Sequence, residues 1–335
     1  MKKLSLDIAK ALLFLSIGIL LIWLVTKDLT ESDKKNIYTA FQQADYFWIL
    51  ISMLVSIASH WSRAVRWKIL LEALNHKPKT SNTFFAVMVG YLANFALPRL
   101  GEVSRCGILS KYEKIPFTES FGTVITERII DVICLLMIFV ITMILEFDKI
   151  YALVNQKILS PFLLKLELLS HNKIALLLFL VLILVLISLA YKYRKLINDK
   201  LFGKFTNLIK GFMDGLQSIK KIKRPGAFLA HTAFIWTMYF LVLYICFFSF
   251  SELSHLGIGA SLSVMIFGSV GIIFVPGGTG VYQALVTEVL TVSYFISFAT
   301  AFAFSWIVWT SSLLVILLFG LVSLVLLPII NKEKE

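Results

Sequence analysis

The chain has 335 residues, of which 59% are hydrophobic and only 16% are charged, and its mean hydropathy is +0.86. These values lie far outside those of a soluble globular domain and predict an all-α polytopic membrane protein. The stretches between apolar runs are shorter than a folded domain of about 50 residues, which argues against a separate soluble catalytic domain.

The first two apolar runs predict two spanning helices. Residues 8–26 are long enough to cross the hydrocarbon core, which requires about 20 residues. A polar loop at 27–45 precedes a second span that begins at residue 46 and runs to about residue 61. Arg63 and Arg66 follow, three residues apart on one helix face and beside Trp67. These three residues predict an interface anchor or, in a second interpretation, a contact to an anionic lipid headgroup.

The next apolar run is interrupted by charges. It ends at Pro98, turns at Gly101 and continues with Arg99, Glu102 and Arg105. Such a break is tolerated at membrane depth only where protein or a water-filled cavity covers the freed backbone groups. It predicts a re-entrant helical hairpin at residues 83–115, with a kink in a full span as the alternative. The restarting helix would offer backbone N–H groups to an anion, Arg99 and Arg105 would add positive charge, and Glu102 would orient Arg105.

A long helix is predicted at residues 119–147, with Thr118 as its N-cap. Glu127, Arg128 and Asp131 lie where this helix enters the apolar zone. The three side chains can pair with one another or face the arginines of the break. Charges at this depth indicate either a functional site or a structural ion-pair cluster.

The second half contains most of the positive charge. An outward loop at 148–173 and a span at 174–191 precede a linker at 192–226, which holds ten Lys and Arg against two Asp. Its charge predicts a cytoplasmic position, and its apolar residues recur at helical spacing, as in an interfacial amphipathic helix. Because the positive-inside rule already explains this charge, nucleic acid is not expected as a partner. Further spans are predicted at 227–250 and 295–327.

A second break lies at residues 259–292. The apolar run ends at Pro276, turns through Gly277, Gly278 and Gly280, and restarts with Gln283 in its first turn. Glycine-rich turns serve backbone geometry more often than ligand binding. A pair of broken helices in corresponding halves is nevertheless typical of a transporter binding site.

The two breaks predict an internal repeat. Gly90 precedes Pro98, and Gly268 precedes Pro276, by the same eight residues. Three predicted spans lie between the two copies. Because an odd number of membrane crossings reverses the direction of the chain, the second copy is inverted relative to the first. The tips of the two hairpins would then approach each other near the midplane of the membrane. We therefore predict about six full spans plus two re-entrant hairpins in one transmembrane domain, 1–335. Its halves are 1–147 and 174–331, and both termini are cytoplasmic.

No metal site or cofactor is expected. Cys106, Cys134 and Cys246 are scattered through apolar runs and predict packing residues, and the five histidines lack metal-ligand spacing. No constellation of catalytic residues is evident, so the chain is not expected to be an enzyme.

Four motifs resemble the signatures of the lysylphosphatidylglycerol synthase transmembrane region family. They are RAVRW at 63–67, LPRLGEVSR at 97–105, TERIID at 126–131 and PGGTG at 276–280. The resemblance covers nearly the whole chain and implies a bacterial or archaeal cytoplasmic-membrane protein, similar to the flippase half of the multiple peptide resistance factor. Such a protein moves a lipid with a charged headgroup between leaflets. The soluble aminoacyl-transferase domain of the full synthases is missing, so synthesis of the lipid is not expected. Gln283 stands where relatives carry an acidic residue, which argues against proton coupling or cation binding there.

The sequence therefore predicts a lipid flippase in the cytoplasmic membrane, with an aminoacyl-phospholipid, a phospholipid or a polyprenyl phosphate as substrate. The predicted substrate-binding residues are Arg99, Gly101, Glu102, Arg105, Glu127, Arg128, Asp131, Pro276, Gly277, Gly278, Gly280 and Gln283. Membrane lipids are the expected partners, and a homo-oligomer or an envelope-synthesis partner stays open. Two alternatives remain: an intramembrane transferase acting on lipid-linked substrates, and a non-catalytic subunit of an envelope-synthesis complex.

Overall fold

The computed structural model describes residues 29–96, 100–164 and 222–332, together with a few positions between 16 and 27. These residues form helices joined by turns, and no strand occurs among them. The chain divides into two compact units, Met1–Phe147 with Lys221–Glu335, and Asp148–Lys220. The predicted span at 8–26 lies outside the described residues apart from those few positions, as do the span at 174–191 and all but the end of the linker at 192–226.

Four described helices are long and apolar enough to cross a membrane. They are α2 (Tyr46–Ala73), α5 (Phe117–Leu145), α7 (Pro225–Phe247) and α10 (Phe298–Ile330). At 1.5 Å per residue even α7, with 23 residues, is about 34 Å long, which exceeds the hydrocarbon core of about 30 Å. The chain is therefore a membrane protein with several apolar helices.

Three predictions about the positions and ends of helices were wrong. The sequence placed a loop at 27–45, but Glu31–Gln43 forms a helix, α1, because Thr30 and Asp33 make a reciprocal capping box and Ile37 and Ala40 face inward. Thr118 does not cap α5, which begins at Phe117 after Pro116 without a side-chain cap. The sequence also ended the second span near residue 61, whereas α2 continues for a further three turns.

The first break joins α3 (Thr80–Ala96) to α4 (Leu100–Glu113). The two helices lie side by side, since a Cβ placed on Gly101 would come within 2.1 Å of the carbonyl oxygen of Gly90. Asn94 closes the turn, because its Oδ1 accepts a 2.7 Å hydrogen bond from the Gly101 backbone N–H. The break is thus a hairpin rather than a kink. Pro98 and Arg99 lie outside the described residues.

The second break has the same form. It joins α8 (Ile258–Phe274) to α9 (Val281–Glu288) through a short 3₁₀ turn at Pro276–Gly278, and a π-helical turn, Val289–Ser293, extends α9. Gly277, Gly278 and Gly280 have φ angles of 68°, 72° and 81°, a left-handed region that only glycine enters at little cost. Gly268 and Gly271 of α8 face Tyr282 of α9 closely enough that an added Cβ would clash with it. These glycines are therefore required by the turn and by the close packing of the hairpin.

The tips of the two hairpins contact each other. The Phe95 ring near the end of α3 lies against Gly277, within 2.8 Å of where a Cβ would stand. Trp309 of α10 packs beside Phe95, with 6.2 Å between ring centroids. Phe95 and Gly277 therefore bring the two breaks into one region of the protein.

The described part of the second unit is helical. It consists of α6 (Phe147–Val154), whose first residue belongs to the first unit, the π-helical turn Asn155–Leu159 and the helical residues 160–164.

Candidate functional site

A buried cluster of charged side chains lies between α2 and α5. Arg63 Nε donates to Glu127 Oε1 at 2.6 Å, and its Nη2 pairs with Asp131 Oδ2. Arg66 Nη2 lies 2.8 Å from Asp131 Oδ1 and 3.3 Å from Glu127 Oε1. Arg66 and Glu127 are completely buried, and Arg63 is almost so. Charges at such positions are tolerated only when paired, and each arginine here contacts both carboxylates.

The first hairpin contributes a third arginine to this cluster. Arg105 of α4 donates from Nη1 to the second oxygen of Glu127 at 3.1 Å. Its guanidinium also lies 4.7 Å from the ring centroid of Trp67, a cation–π geometry. Glu127 therefore binds arginines from two helices at once and fixes the hairpin to the α2–α5 pair. The arginine cluster is defined here as Arg63, Arg66, Arg105, Arg128, Glu102, Glu127 and Asp131.

Neutral hydrogen-bonding groups surround the ion pairs. Arg63 Nη1 donates to the hydroxyl oxygens of Tyr91 on α3 and Tyr239 on α7, each at 3.0 Å. Arg66 Nη1 lies 3.4 Å from Thr232 Oγ1 of α7. Helices α2, α3, α4, α5 and α7 thus all supply side chains to one polar network inside an otherwise apolar protein.

The edge of the arginine cluster is more open. Arg128 Nη2 donates to Glu102 Oε1 at 2.7 Å, and both side chains are partly exposed. Glu102 therefore pairs with Arg128 of the next helix. The sequence predicted instead that Glu102 would orient Arg105, and this prediction was wrong. Both Glu102 and Arg105 form their ion pairs with residues of α5, Glu102 with Arg128 and Arg105 with Glu127, rather than with each other.

Several hydrogen-bonding atoms at this edge have no partner within the described part of the chain. They are Nε and Nη2 of Arg105 and Oε2 of Glu102, all buried. A polar cavity of about 10 Å³, lined by Arg63, Tyr91, Asn94, Glu102, Arg105 and Arg128, adjoins them. Because guanidinium groups stay protonated, four arginines and three carboxylates leave the cluster with one excess positive charge. A cavity of this volume has room for about one water molecule, and its donors could reach an anion only if Arg128 and Glu102 separate.

The structure brings five predicted binding residues together, namely Glu102, Arg105, Glu127, Arg128 and Asp131, with Gly101 beside them at the α3–α4 contact. Glu127, Arg128 and Asp131 pair with residues of other helices rather than with one another. Arg99 lies outside the described residues.

The residues of the second break do not join the arginine cluster directly. Pro276, Gly277, Gly278 and Gly280 form the hairpin turn, and Gly277 reaches the first hairpin through Phe95. Gln283 is buried, and its Oε1 accepts a 2.8 Å hydrogen bond from the Gly280 backbone N–H. Its side chain thus caps α9, while its Nε2 has no partner among the described residues.

The anchor interpretation of Arg63, Arg66 and Trp67 needs correction. All three are buried, and Trp67 Nε1 donates to Thr123 Oγ1 of α5 at 2.9 Å. A residue enclosed by protein cannot lie at a lipid interface. An anchor was predicted because basic and aromatic residues at the end of an apolar run are typical of interfaces, and the continuation of α2 was missed.

Sequence analysis also missed Tyr91, Tyr239 and Asn94. Tyr91 and Asn94 are three residues apart in the last turns of α3, and this spacing of two polar groups before the break was an available signal. No sequence signal indicated Tyr239, because it lies 176 residues from Arg63, which it contacts.

The fold and this site define an all-helical, polytopic membrane protein with a polar site between its helices. A sequence model of the lysylphosphatidylglycerol synthase TM region matches residues 8–320, and the chain belongs to that family. The chain is also similar to a UPF0104 membrane protein of Methanocaldococcus jannaschii, with 30% identity over 87 residues. That match covers 25% of this chain and 26% of the relative, so only about a quarter of either protein is compared. No solved structure matches the chain.

Proposed function

We propose that this protein is a lipid flippase that moves an anionic or charged-headgroup lipid across the cell membrane. The observation that carries the proposal is the arginine cluster. Its residues Arg63, Arg66, Arg105 and Glu127 are buried, it has one excess positive charge, and it leaves two donor atoms of Arg105 without partners among the described residues. Ion pairs that served packing alone would require charge balance and satisfied donors. Membership of a family named for a lipid synthase's membrane region supports a lipid as the substrate.

The headgroup phosphate binds at the edge of the cluster in this proposal. Arg105 offers Nε and Nη2, which form one edge of its planar guanidinium and match two phosphate oxygens. Arg128 is free to move because its side chain is 43% exposed, so it adds a second charge when the phosphate replaces Glu102. Glu127 stays in place and holds Arg63, Arg66 and Arg105 in fixed positions. The acyl chains remain in the bilayer.

In this proposal the two hairpins form the path of the lipid across the membrane. We propose about six full spans and two re-entrant hairpins related by inversion, with both termini in the cytoplasm. The matching glycines and the contact between Phe95 and Gly277 support this arrangement. Movement of one half against the other would expose the cluster alternately to each side, as in transporters built from inverted repeats.

We propose two other functions as alternatives to the flippase. An intramembrane transferase would use Glu102, Glu127 or Asp131 as acid or base, and turnover of a lipid-linked substrate by the purified protein, with or without magnesium, would establish it. A non-catalytic subunit of an envelope-synthesis complex would co-purify with a fixed partner and be inert alone.

The decisive experiment is a scrambling assay in vesicles that contain the purified protein. Headgroup-labelled phosphatidylglycerol and a labelled polyprenyl phosphate are compared for wild type, Arg105→Gln and Lys111→Gln. Lys111 is the matched control, because it lies on the same helix as Arg105 and is exposed. We expect wild type and Lys111→Gln to move at least one lipid and Arg105→Gln to move neither.

The folded state is checked by size-exclusion chromatography and thermal unfolding of each variant. If Arg105→Gln does not fold, Arg128→Gln replaces it, since the Arg128 pair lies at the exposed edge of the cluster. Full transport by a folded Arg105→Gln protein would refute the site. Absence of transport of any lipid by wild type would refute the flippase.

A further inference from the structure

A second feature of the protein is a large groove along the contact between α2 and α7. Its volume is about 740 Å³, within the range of small-molecule binding sites. Helix α2 contributes Leu54, Ala58 and Trp61, and helix α7 contributes Ala230 and Phe234. These residues are three or four apart on each helix, so each set forms one face. The two alanines leave the space that larger side chains would fill.

The walls of this α2–α7 groove suit hydrocarbon. Both helices belong to the four that are long and apolar enough to span a membrane. Leu54 and Phe234 expose 67% and 43% of their surface, so the groove opens to the surroundings of the helices. Contact with an apolar wall gains little in a bilayer, because lipid tails are as apolar as leucine. The occupant is therefore selected by the polar groups next to the groove.

One polar pair in the groove lies next to residues of the arginine cluster, or to residues that contact it, along both helices. Ser62 and His231 both line the groove, and Ser62 Oγ is 2.8 Å from His231 Nδ1. Ser62 precedes Arg63 and lies one turn before Arg66 on α2. On the opposite side, His231 precedes Thr232, which contacts Arg66. Each member of the pair is thus the sequence neighbour of a residue that belongs to the arginine cluster or contacts it.

The end of the groove nearest the start of α7 is basic. Helix α7 begins at Pro225, directly after Lys223 and Arg224. Lys223 Nζ donates to Asn75 Oδ1 at 2.7 Å, and Arg224, which is exposed, pairs with Glu72. Glu72 neutralises Arg224, so Lys223 supplies the excess positive charge at the start of α7, four residues before the groove residue Ala227, and this charge favours an anionic headgroup.

We propose that the groove holds one acyl chain of the transported anionic phospholipid while its headgroup passes to the arginine cluster. The Ser62–His231 hydrogen bond opens to admit the headgroup, and the chain remains between α2 and α7. This inference rests on the proposed flippase function and adds the lateral site at which the substrate enters.

The test uses phosphatidylglycerol with a photoreactive diazirine in its acyl chain, incorporated with the full-length protein into vesicles. After illumination, mass spectrometry locates the adducts. We expect adducts on Leu54 and Phe234 in wild type. Ala230→Trp fills the groove and should lower these adducts and the transport rate several-fold. Ala233→Trp is the matched control, because Ala233 is exposed on the same helix and does not line the groove.

The two proposals fail in different ways. Adducts in the groove that decline in Ala230→Trp, without transport by wild type, would uphold the acyl-chain site and reject the flippase. Normal transport by Ala230→Trp, or adducts equal to those of Ala233→Trp, would overturn the groove proposal and leave the flippase intact. If Ala230→Trp does not fold, Ala58→Phe fills the same groove from α2 and gives the same readouts.

Discussion

The indole Nε1 of Trp309 on α10 donates a 2.7 Å hydrogen bond to the carbonyl oxygen of Gly277 in the turn of the second hairpin. The Phe95 ring of the first hairpin packs against both residues. A single tryptophan thus holds the last long helix, and through Phe95 both hairpin tips, in one arrangement.

Trp309→Phe should weaken the contact between α10 and the tips of the two hairpins. The ring is largely retained, but the partly buried Gly277 carbonyl loses its donor, which costs about 1 to 3 kcal/mol. Thermal unfolding in detergent measures the loss. Trp306→Phe is the control, because Trp306 Nε1 is buried without a hydrogen-bond partner among the described residues. An equal loss in both variants would show that the hydrogen bond contributes nothing.

Gly101→Ala should disrupt the first hairpin. The new Cβ would lie 2.1 Å from the Gly90 carbonyl oxygen and 2.6 Å from Asn94 Cγ, so α3 and α4 must separate. We expect the free energy of unfolding to fall by about 3 kcal/mol or more. Gly107→Ala on the same helix meets nothing within 4 Å and should stabilise by up to about 1 kcal/mol. Similar stability of the two variants would contradict the close contact.

Glu127→Gln should be the most damaging substitution of a carboxylate. Arg63 and Arg66 would share Asp131 alone, Arg105 would lose its carboxylate partner, and unpaired buried charge costs about 3 to 5 kcal/mol. Glu102→Gln affects a partly exposed pair and should cost about 1 kcal/mol or less. Chemical denaturation of both variants gives the comparison. A smaller loss for Glu127→Gln than for Glu102→Gln would show that Glu127 does not organise the cluster.

Glu252 should make stability depend on acid pH. Burial raises the pKa of this loop carboxyl, but hydrogen bonds from Thr300 and from the Ser297 N–H and hydroxyl outweigh burial and hold its pKa below the ordinary 4.5. A lowered folded-state pKa stabilises the protein above pH 4.5, and this stabilisation is lost as the pH falls through the folded-state value. Unfolding temperatures measured from pH 7 to pH 3 should fall more for wild type than for Glu252→Gln. Parallel curves would contradict the prediction.

Sequence analysis located both breaks because their signals are local. A proline, a left-handed glycine and the end of an apolar run all act within a few residues, so Pro276 and Gly280 mark the second turn in the sequence alone. The charged positions Glu102, Arg105, Glu127, Arg128 and Asp131 were equally visible, since ionised side chains in an apolar run stand out at once.

The partners of these charged side chains were less predictable than their positions. Glu102 was assigned to Arg105 by its spacing along one helix, whereas its partner Arg128 lies on the next helix. Arg63 and Arg66 were interpreted as surface residues, because a one-dimensional pattern cannot distinguish an interfacial arginine from one that contacts three neighbouring helices, as Arg63 does.

The sequence by itself determined that this is a helical membrane protein with two glycine-rich breaks and charges at membrane depth, because hydropathy, proline and glycine act over short stretches of chain. Only the tertiary structure decided that Glu127 binds three arginines, that one edge of Arg105 has no partner among the described residues, and that Phe95 meets Gly277. These contacts join residues from separate helices, and their geometry depends on how the helices pack rather than on the order of residues within any one of them.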